Sequence, residues 1–326
     1  MIKGLVIMKA DPLHNGHLAL IEFAKATCDH LYVLLCMNNE EEFISGKLRL
    51  NWLLNIYRKD DKITIKYTDK KLPYTSVSDR EISKLWAEHI KELIPDLNVI
   101  VSSEPYGDYV AEYLGIEHVM FDLKRNITPI SGTQIRNNPI KYWDYIPDVV
   151  RPHFIKKVCI CGTESTGKTI LTEKLANYFK TTYVPEWGRL IVKKSDETTI
   201  EDIKSIGHAH AVDIIGKTYY ANKIMFSDTD LNTTKMYSKY FFNEIPEFSY
   251  WIEEANIFDL HIYLDKDAPH IQDGTRLPKD QRDNLAEFHY NYLIEKGVNM
   301  EVVTGTDWNE RTQRAIDIVE RNFFNF

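Results

Sequence analysis

Cysteine is scarce in this chain. There are four in 326 residues, at 28, 36, 159 and 161, too few for a disulfide framework in a protein of this length. Cys159 and Cys161 stand two apart in an apolar run, so in a strand both point to one face and read as small core residues. The further Cys or His at ligand spacing that a metal centre needs are missing around them. No apolar stretch approaches the ~20 residues of a membrane span. The opening MIKGLVIMKADP lacks the long apolar region and small-residue cleavage site of a secretion signal. The expectation is a cytoplasmic, reduced protein with no membrane partner. Positive charge is also short: 40 Lys and Arg against 48 Asp and Glu leave a net charge of −8. That argues against a broad nucleic-acid surface, which needs a basic patch, and leaves room for a local site that binds a small phosphorylated ligand. Internal repeats and low-complexity segments are absent as well.

What is present suits ordinary globular domains. Hydrophobic residues make up 44% and charged residues 27%, enough apolar material for two cores at roughly 100–200 residues per domain. Apolar runs at 2–8, 31–37, 63–67, 98–103 and 118–122 read as buried strands. Helical spacing at 17–27 and 79–94 lies between them. Strands alternating with helices predict a parallel sheet covered on both faces. The pattern restarts at VCICG, residues 158–162, followed by an amphipathic helix in ILTEKLANYFK; later strands are KIMFSDTD at 223–230 and DLHIYLD at 259–265. The segment IPDVVRPHFIKK, with two prolines and two adjacent lysines, marks the joint. The fold class expected is α/β, with two doubly wound parallel-sheet domains spanning 1–153 and 154–326.

Residues 162–169 read GTESTGKT and match the P-loop pattern G-x-x-x-x-G-K-[ST]. Gly162, Thr163, Glu164, Ser165, Thr166 and Gly167 would wrap their backbone N–H groups around one anion, helped by the positive end of the following helix. Lys168 would bridge the terminal phosphates of ATP, and the Thr169 hydroxyl would ligate Mg2+. The metal needs a second acidic ligand. SDTD at 227–230 ends an apolar strand and offers Asp228 first and Asp230 next, with a helix cap or turn as the structural alternative. In YVPEWGR, residues 183–189, Glu186 is placed to accept the proton of an attacking hydroxyl, with an aspartate near 228 as the competing base. The loop APHIQDGTRLPKDQR, residues 268–282, is rich in Gly, Pro and charge. Its Arg276 and Arg282 are candidates to close over the phosphates.

In the first half, PLHNGH at 12–17 puts His14 and His17 between a strand and a helix, with Gly16 permitting a tight turn. Two imidazoles at a helix N-terminus suit a polyphosphate and the charge that grows on it during transfer. ISGTQIR at 130–136 supplies a second element: Ser131 and Thr133 can cap a helix whose first turns hold Arg136.

These two elements resemble the nucleotidyltransferase superfamily with its HxGH and ISxTxxR signatures. ISGTQIR followed by RNNPIKYWDYIP, then a P-loop with EWGR, SDTD and QDGTR, narrows the resemblance. The chain looks like a bifunctional nicotinamide mononucleotide (NMN) adenylyltransferase and ribosylnicotinamide kinase, from about residue 2 to about residue 322. The resemblance implies two reactions. The C-terminal domain phosphorylates nicotinamide riboside with ATP. The N-terminal domain joins the resulting NMN to the adenylyl group of a second ATP by direct in-line attack, giving NAD and pyrophosphate. It also implies site residues. Lys9, His14, His17, Ser131, Thr133 and Arg136 fall on the adenylyl-transfer ATP site. Asp122, Lys124 and Arg125 (DLKR) match an acidic–basic stretch before it. Trp86 matches a tryptophan that either stacks on the nicotinamide or packs in the core. Lys168, Thr169, Glu186, Arg189, Asp228, Asp273 and Arg276 match the kinase half, and Trp187 and Asp230 stand beside its acceptor. There are departures. Met8, Ala10 and Asp11 replace a glycine and two aromatic residues of the usual GKFYPLHxGH opening, and His270 stands where many members have tryptophan. A carboxylate at 11 is unfavourable beside ATP phosphates unless it points away or meets the metal. These substitutions keep two alternatives in play, a slow nucleotide sensor and a kinase with a degenerate transferase. The helix-turn-helix domain of some members is not expected ahead of a strand that begins at residue 2. A homo-oligomer stays open.

Overall fold

The computed structural model describes residues 1–37, 42–73, 79–192, 198–267 and 278–325. Contacts divide the chain into two compact units, Met1–Arg151 and Pro152–Phe326. Each unit is a five-stranded parallel sheet with helices on its faces.

The first unit runs β1 (Lys3–Met8), α1 (Asn15–Ala26), β2 (His30–Cys36), α2 (Gly46–Tyr57), β3 (Ile63–Thr68), α3 (Arg80–Leu93), β4 (Val99–Ser102), α4 (Tyr106–Leu114), β5 (Glu117–Met120) and the short α5 (Gly132–Asn137). The strand order is β3-β2-β1-β4-β5, and every pairing is parallel. The central strands are continuous apolar runs because both of their faces are covered. One face packs Leu5, Leu34 and Ile100 against Ala87 and Ile90 of α3 and Val110 and Ala111 of α4. The order reverses between β1 and β4, so the crevice at the C-terminal ends of those strands is where an open α/β sheet takes a ligand.

The second unit runs β6 (Lys156–Gly162), α6 (Lys168–Tyr178), β7 (Tyr183–Val184), α7 (Trp187–Ile191), α8 (Ile200–Thr218), β8 (Ile224–Asp228), α9 (Leu231–Phe242), α10 (Tyr250–Ala255), β9 (Leu260–Leu264), α11 (Lys279–Glu295), β10 (Met300–Val303) and α12 (Trp308–Phe323). The order is β10-β9-β6-β8-β7, again parallel. Val158 and Ile160 face α6 and α12, while Cys159 and Cys161 lie together on the opposite face with Tyr263 and Leu293. All four cysteines are free thiols. The strand expected through residue 230 stops at Asp228. Thr229 takes a left-handed φ of 69°, and Asp230 leaves the sheet to cap α9. Among the described residues no helix is long and apolar enough to cross a membrane.

Candidate functional site

The first site lies at the C-terminal edge of β1. His14 is the N-cap of α1 in an extended conformation. Its backbone N–H donates to His17 Nδ1 at 3.3 Å, and the two rings stack with centroids 3.8 Å apart. Gly16 makes this stack possible, since a Cβ there would stand 3.0 Å from His14 Cε1 and Nδ1. Burial, then the neighbouring His17 and Arg125 charges, lower the His14 pKa to about 2. Burial and Arg125 lower that of His17 to about 4. At neutral pH the pair is therefore uncharged and can offer N–H groups to an anion without its own cation.

The second signature meets the same edge. Ser131 caps α5: its Oγ accepts from Gln134 N at 3.3 Å, and its own N–H donates to Gln134 Oε1 at 2.9 Å. Thr133 does a different task from capping. Its Oγ1 accepts from Arg136 Nη2 at 3.1 Å. Arg136 Nη1 also donates to the backbone carbonyl of Asp11. Gly132 permits that approach, because a Cβ there would lie 2.7 Å from Asp11 O. Asp122 and Arg125 both adopt left-handed φ values. The Asp122 carboxylate accepts from Asn126 N and Ile127 N at 2.8 Å each, which shapes the turn. Arg125 is half exposed and 3.5 Å from Glu104. Trp86 donates its indole N–H to Pro73 O at 3.1 Å and packs against the α3–α4 core. The backbone carbonyl of Lys9 is held by Arg49. Met8 is buried at the end of β1, and Ala10 is buried with a φ of 53°.

The second site is the loop between β6 and α6. Gly162, Ser165 and Gly167 have φ values of 136°, 63° and 84°, which curl the backbone so that successive N–H groups converge. Gly162 approaches β9 so closely that a Cβ would sit 2.5 Å from Leu264 O, and Gly167 lies against the Trp308 ring, 2.3 Å from a Cβ built there. Lys168 is buried and donates to Thr163 O at 3.0 Å; Thr166 Oγ1 donates to the same carbonyl at 2.8 Å. Thr169 Oγ1 donates to Asp228 Oδ2 at 2.6 Å. Asp228 Oδ1 is buried with no partner. Burial and the nearby Glu186 raise the Asp228 pKa to about 6. A hydroxyl paired with a buried, half-satisfied carboxylate is a donor set that fits a hard divalent cation.

Beside this loop opens a cleft of about 320 Å3, lined by Glu164, Glu186, Arg189, Thr233, Thr234, Tyr237 and Phe241 among others. Glu186 caps α7, and its Oε2 accepts from Arg189 Nε at 2.7 Å. Tyr237 and Phe241, one turn apart on α9, stack at 6.0 Å with planes 13° apart. Asp230 sits elsewhere. It is fully buried, and its carboxylate accepts from Thr233 N and Oγ1, Asn232 Nδ2 and His261 Nε2. Trp187 donates to Asp213 Oδ2 at 3.2 Å and is not among the cleft residues. Arg282, on the first turn of α11, is buried, donates to Lys266 O at 3.3 Å and pairs with Asp283; its Nε and Nη1 have no partner. His270, Asp273 and Arg276 lie outside the described residues.

Several of these groups belong to no motif. Tyr237 and Phe241 carried a readable sign, an aromatic pair four apart just after SDTD. Trp308 follows the last strand, far from the P-loop in sequence, and only the fold brings it to Gly167. Arg49, on α2, carries no motif and is fully buried.

Comparison with known proteins agrees with two joined nucleotide-binding halves. A cytidylyltransferase-like model matches residues 9–138, and an AAA domain model matches residues 157–311. The chain is 35% identical to the trifunctional NAD biosynthesis/regulator protein NadR of Escherichia coli (strain K12), over 97% of this chain and 82% of that protein. Over 44% of its length it is 24% identical to a nicotinamide-nucleotide adenylyltransferase of Methanococcus aeolicus, covering 81% of that protein. Among solved structures, a NadR protein in complex with NAD and AMP-PNP has the same fold, at a TM-score of 0.79 and 22% identity over 100% of this chain and 97% of that one.

Proposed function

The chain belongs to the NadR family, and from that premise we propose which of its residues perform the two steps of NAD salvage. The enzyme is bifunctional. Its C-terminal half phosphorylates nicotinamide riboside with ATP, and its N-terminal half adenylylates NMN with ATP, releasing pyrophosphate and NAD. The observation that carries the assignment is the Thr169–Asp228 contact of 2.6 Å next to a cleft that is both acidic and aromatic.

That cleft fits its acceptor chemically. Nicotinamide riboside carries a cationic pyridinium ring and free ribose hydroxyls. Glu164 and Glu186 complement the positive charge, and the Tyr237–Phe241 stack offers a face to the ring. The P-loop N–H groups and Lys168 hold the phosphates of ATP. Thr169 and Asp228 would hold Mg2+, which when bound neutralises charge between the outer phosphates. Glu186 lines the cleft and is oriented by Arg189, so it accepts the proton of the 5′-hydroxyl in preference to Asp228, whose Oδ2 is taken by Thr169. In the first half, His14 and His17 donate N–H groups to the triphosphate, and Arg136, steadied by Thr133, stabilises charge on the leaving pyrophosphate. No protein nucleophile is needed. Positioning of the NMN phosphate for in-line attack and charge stabilisation supply the rate.

The test is direct. Purified protein is given magnesium, ATP and nicotinamide riboside, and NMN and NAD are followed by chromatography. Accumulating NAD supports both steps. NMN alone leaves only the kinase, and no product at all sinks the reading in favour of a nucleotide sensor. Glu186→Gln is expected to slow phosphorylation by about 10²-fold or more, the range for a lost general base, while conversion of supplied NMN continues.

A further inference from the structure

One residue that departs from the usual opening of the first half, Asp11, joins several elements of the structure. Asp11 lies just past β1 with a side chain only 12% exposed. Its carboxylate accepts from two successive backbone N–H groups, Phe43 N at 3.3 Å and Ile44 N at 3.1 Å. Its backbone carbonyl accepts from Arg136 Nη1, and its Oδ2 lies 3.9 Å from the same nitrogen. The segment it grips turns back onto Arg136, with the guanidinium 4.5 Å from the centre of the Phe43 ring. The other side of that segment is fastened by Arg49, which is fully buried. Arg49 donates to Ile44 O at 2.9 Å, to Cys36 O at 3.2 Å and to Lys9 O, and it pairs with Glu42.

The ends of β1 and β2, the 42–45 segment and α5 are thereby joined through two residues, Asp11 and Arg49. Arg136 has five N–H donors in a rigid plane. Asp11 O and Thr133 Oγ1 take two of them, and Phe43 covers one face. The plane is therefore set before any phosphate arrives, which is what an arginine that stabilises growing charge requires. The feared carboxylate beside the phosphates is thus directed onto backbone donors and a cation.

We propose that Asp11 is a positioning residue for adenylyl transfer, acting through the Phe43–Ile44 backbone and its own carbonyl to fix the Arg136 guanidinium. This rests on the assignment of adenylyl transfer to the N-terminal half. Asp11 touches no reacting atom in this scheme.

The experiment measures NMN adenylylation by D11A, D11N, F43A, R136A and the D11A/R136A double variant. Riboside phosphorylation is followed in the same chains. D11A is expected to lower kcat for adenylylation by about tenfold to a hundredfold, the scale of a small misplacement, with a smaller change in KM. D11N keeps one acceptor and recovers part of the loss. In the R136A background D11A has no further effect beyond about twofold, because both changes remove one interaction. Phosphorylation is unchanged throughout. If D11A unfolds the first half, D11N and F43A decide, and full kcat in both overturns the inference. It is also overturned if D11A retains wild-type kcat, or if the losses from D11A and R136A multiply. A wild-type chain that makes NMN but no NAD from it overturns the assignment itself, and this inference with it.

Discussion

The two proposed phosphate sites of this enzyme solve the same problem with different materials. In the second half the cradle is backbone. Eight consecutive residues, Gly162 to Thr169, supply the N–H groups, the lysine and the hydroxyl, and three of them hold left-handed φ values. Asp228 comes from elsewhere in the chain to meet Thr169. In the first half the site is made of side chains from three separate stretches: His14 and His17 on α1, Arg125 in the turn after β5, and Arg136 on α5. Of these, Arg136 is held by Asp11, which in turn holds the 42–45 segment. A backbone cradle is local and tolerates change around it, provided the glycines remain. A side-chain site depends on the residues that hold its members, so its determinants spread well beyond the motif.

The largest test of this contrast is Lys168→Ala. It is expected to lower riboside phosphorylation by about 10²–10³-fold, as for loss of a preorganised charge, while supplied NMN is still converted to NAD. His17→Ala is expected to do the reverse, with adenylylation down by about 10²-fold and phosphorylation intact. If either variant silenced both reactions in a folded chain, independence of the two sites would be the wrong picture. A smaller effect is expected at the acceptor cleft. Tyr237→Ala should raise the KM for nicotinamide riboside by about tenfold with little change in kcat, as when an aromatic contact made equally in ground and transition states is lost; an unchanged KM would place the ring elsewhere.

The smallest effects are on stability, and they have opposite signs in the two halves. The folded pKa of His17, about 4, lies below its ordinary 6.5. The unfolded chain therefore takes up the proton first. Its contribution is whole above 6.5 and is lost as pH falls from 6.5 toward 4. Thermal unfolding of the first half should occur at lower temperature at pH 5 than at pH 7.5, and His17→Asn should flatten that dependence. Asp228 is raised to about 6 from an ordinary 3.8. Its burial is tolerated below 3.8 and becomes a liability as pH rises through 6. In metal-free protein at pH 7.5, Asp228→Asn should raise the unfolding temperature of the second half, a gain that calorimetry would show vanishing near pH 4.

Much of this was legible in the sequence because it is local. Apolar runs alternating with helical spacing declared two parallel sheets, since strands buried on both faces have little choice of residue. GTESTGKT and HNGH mark the proposed phosphate sites, because tight turns need glycine and charge transfer needs particular side chains at short spacing. Asp230 shows where local reading ran out. The string SDTD offers two carboxylates two residues apart, and nothing in it tells which one meets Thr169 of the P-loop. The left-handed Thr229 turns Asp230 away from the sheet and under α9, where four donors hold it. The indole N–H groups of Trp187 and Trp86 are directed to Asp213 and Pro73, and among the described residues the rings lining the cleft are Tyr237 and Phe241, which no motif marks.

What the sequence by itself determined, then, is the fold class, the family and the chemistry of the short motifs, all carried by neighbours in the chain. What only the tertiary structure decided is which side chains steady those motifs. In the sequence Asp11 is an unfavourable carboxylate beside phosphates, and Arg49 belongs to no motif. Both became supports because strand ends distant in sequence meet at one edge of a sheet. There a carboxylate finds backbone N–H groups and a buried guanidinium finds carbonyls. Hydrogen bonds of that kind depend on distance and direction in space, which spacing along a chain does not encode.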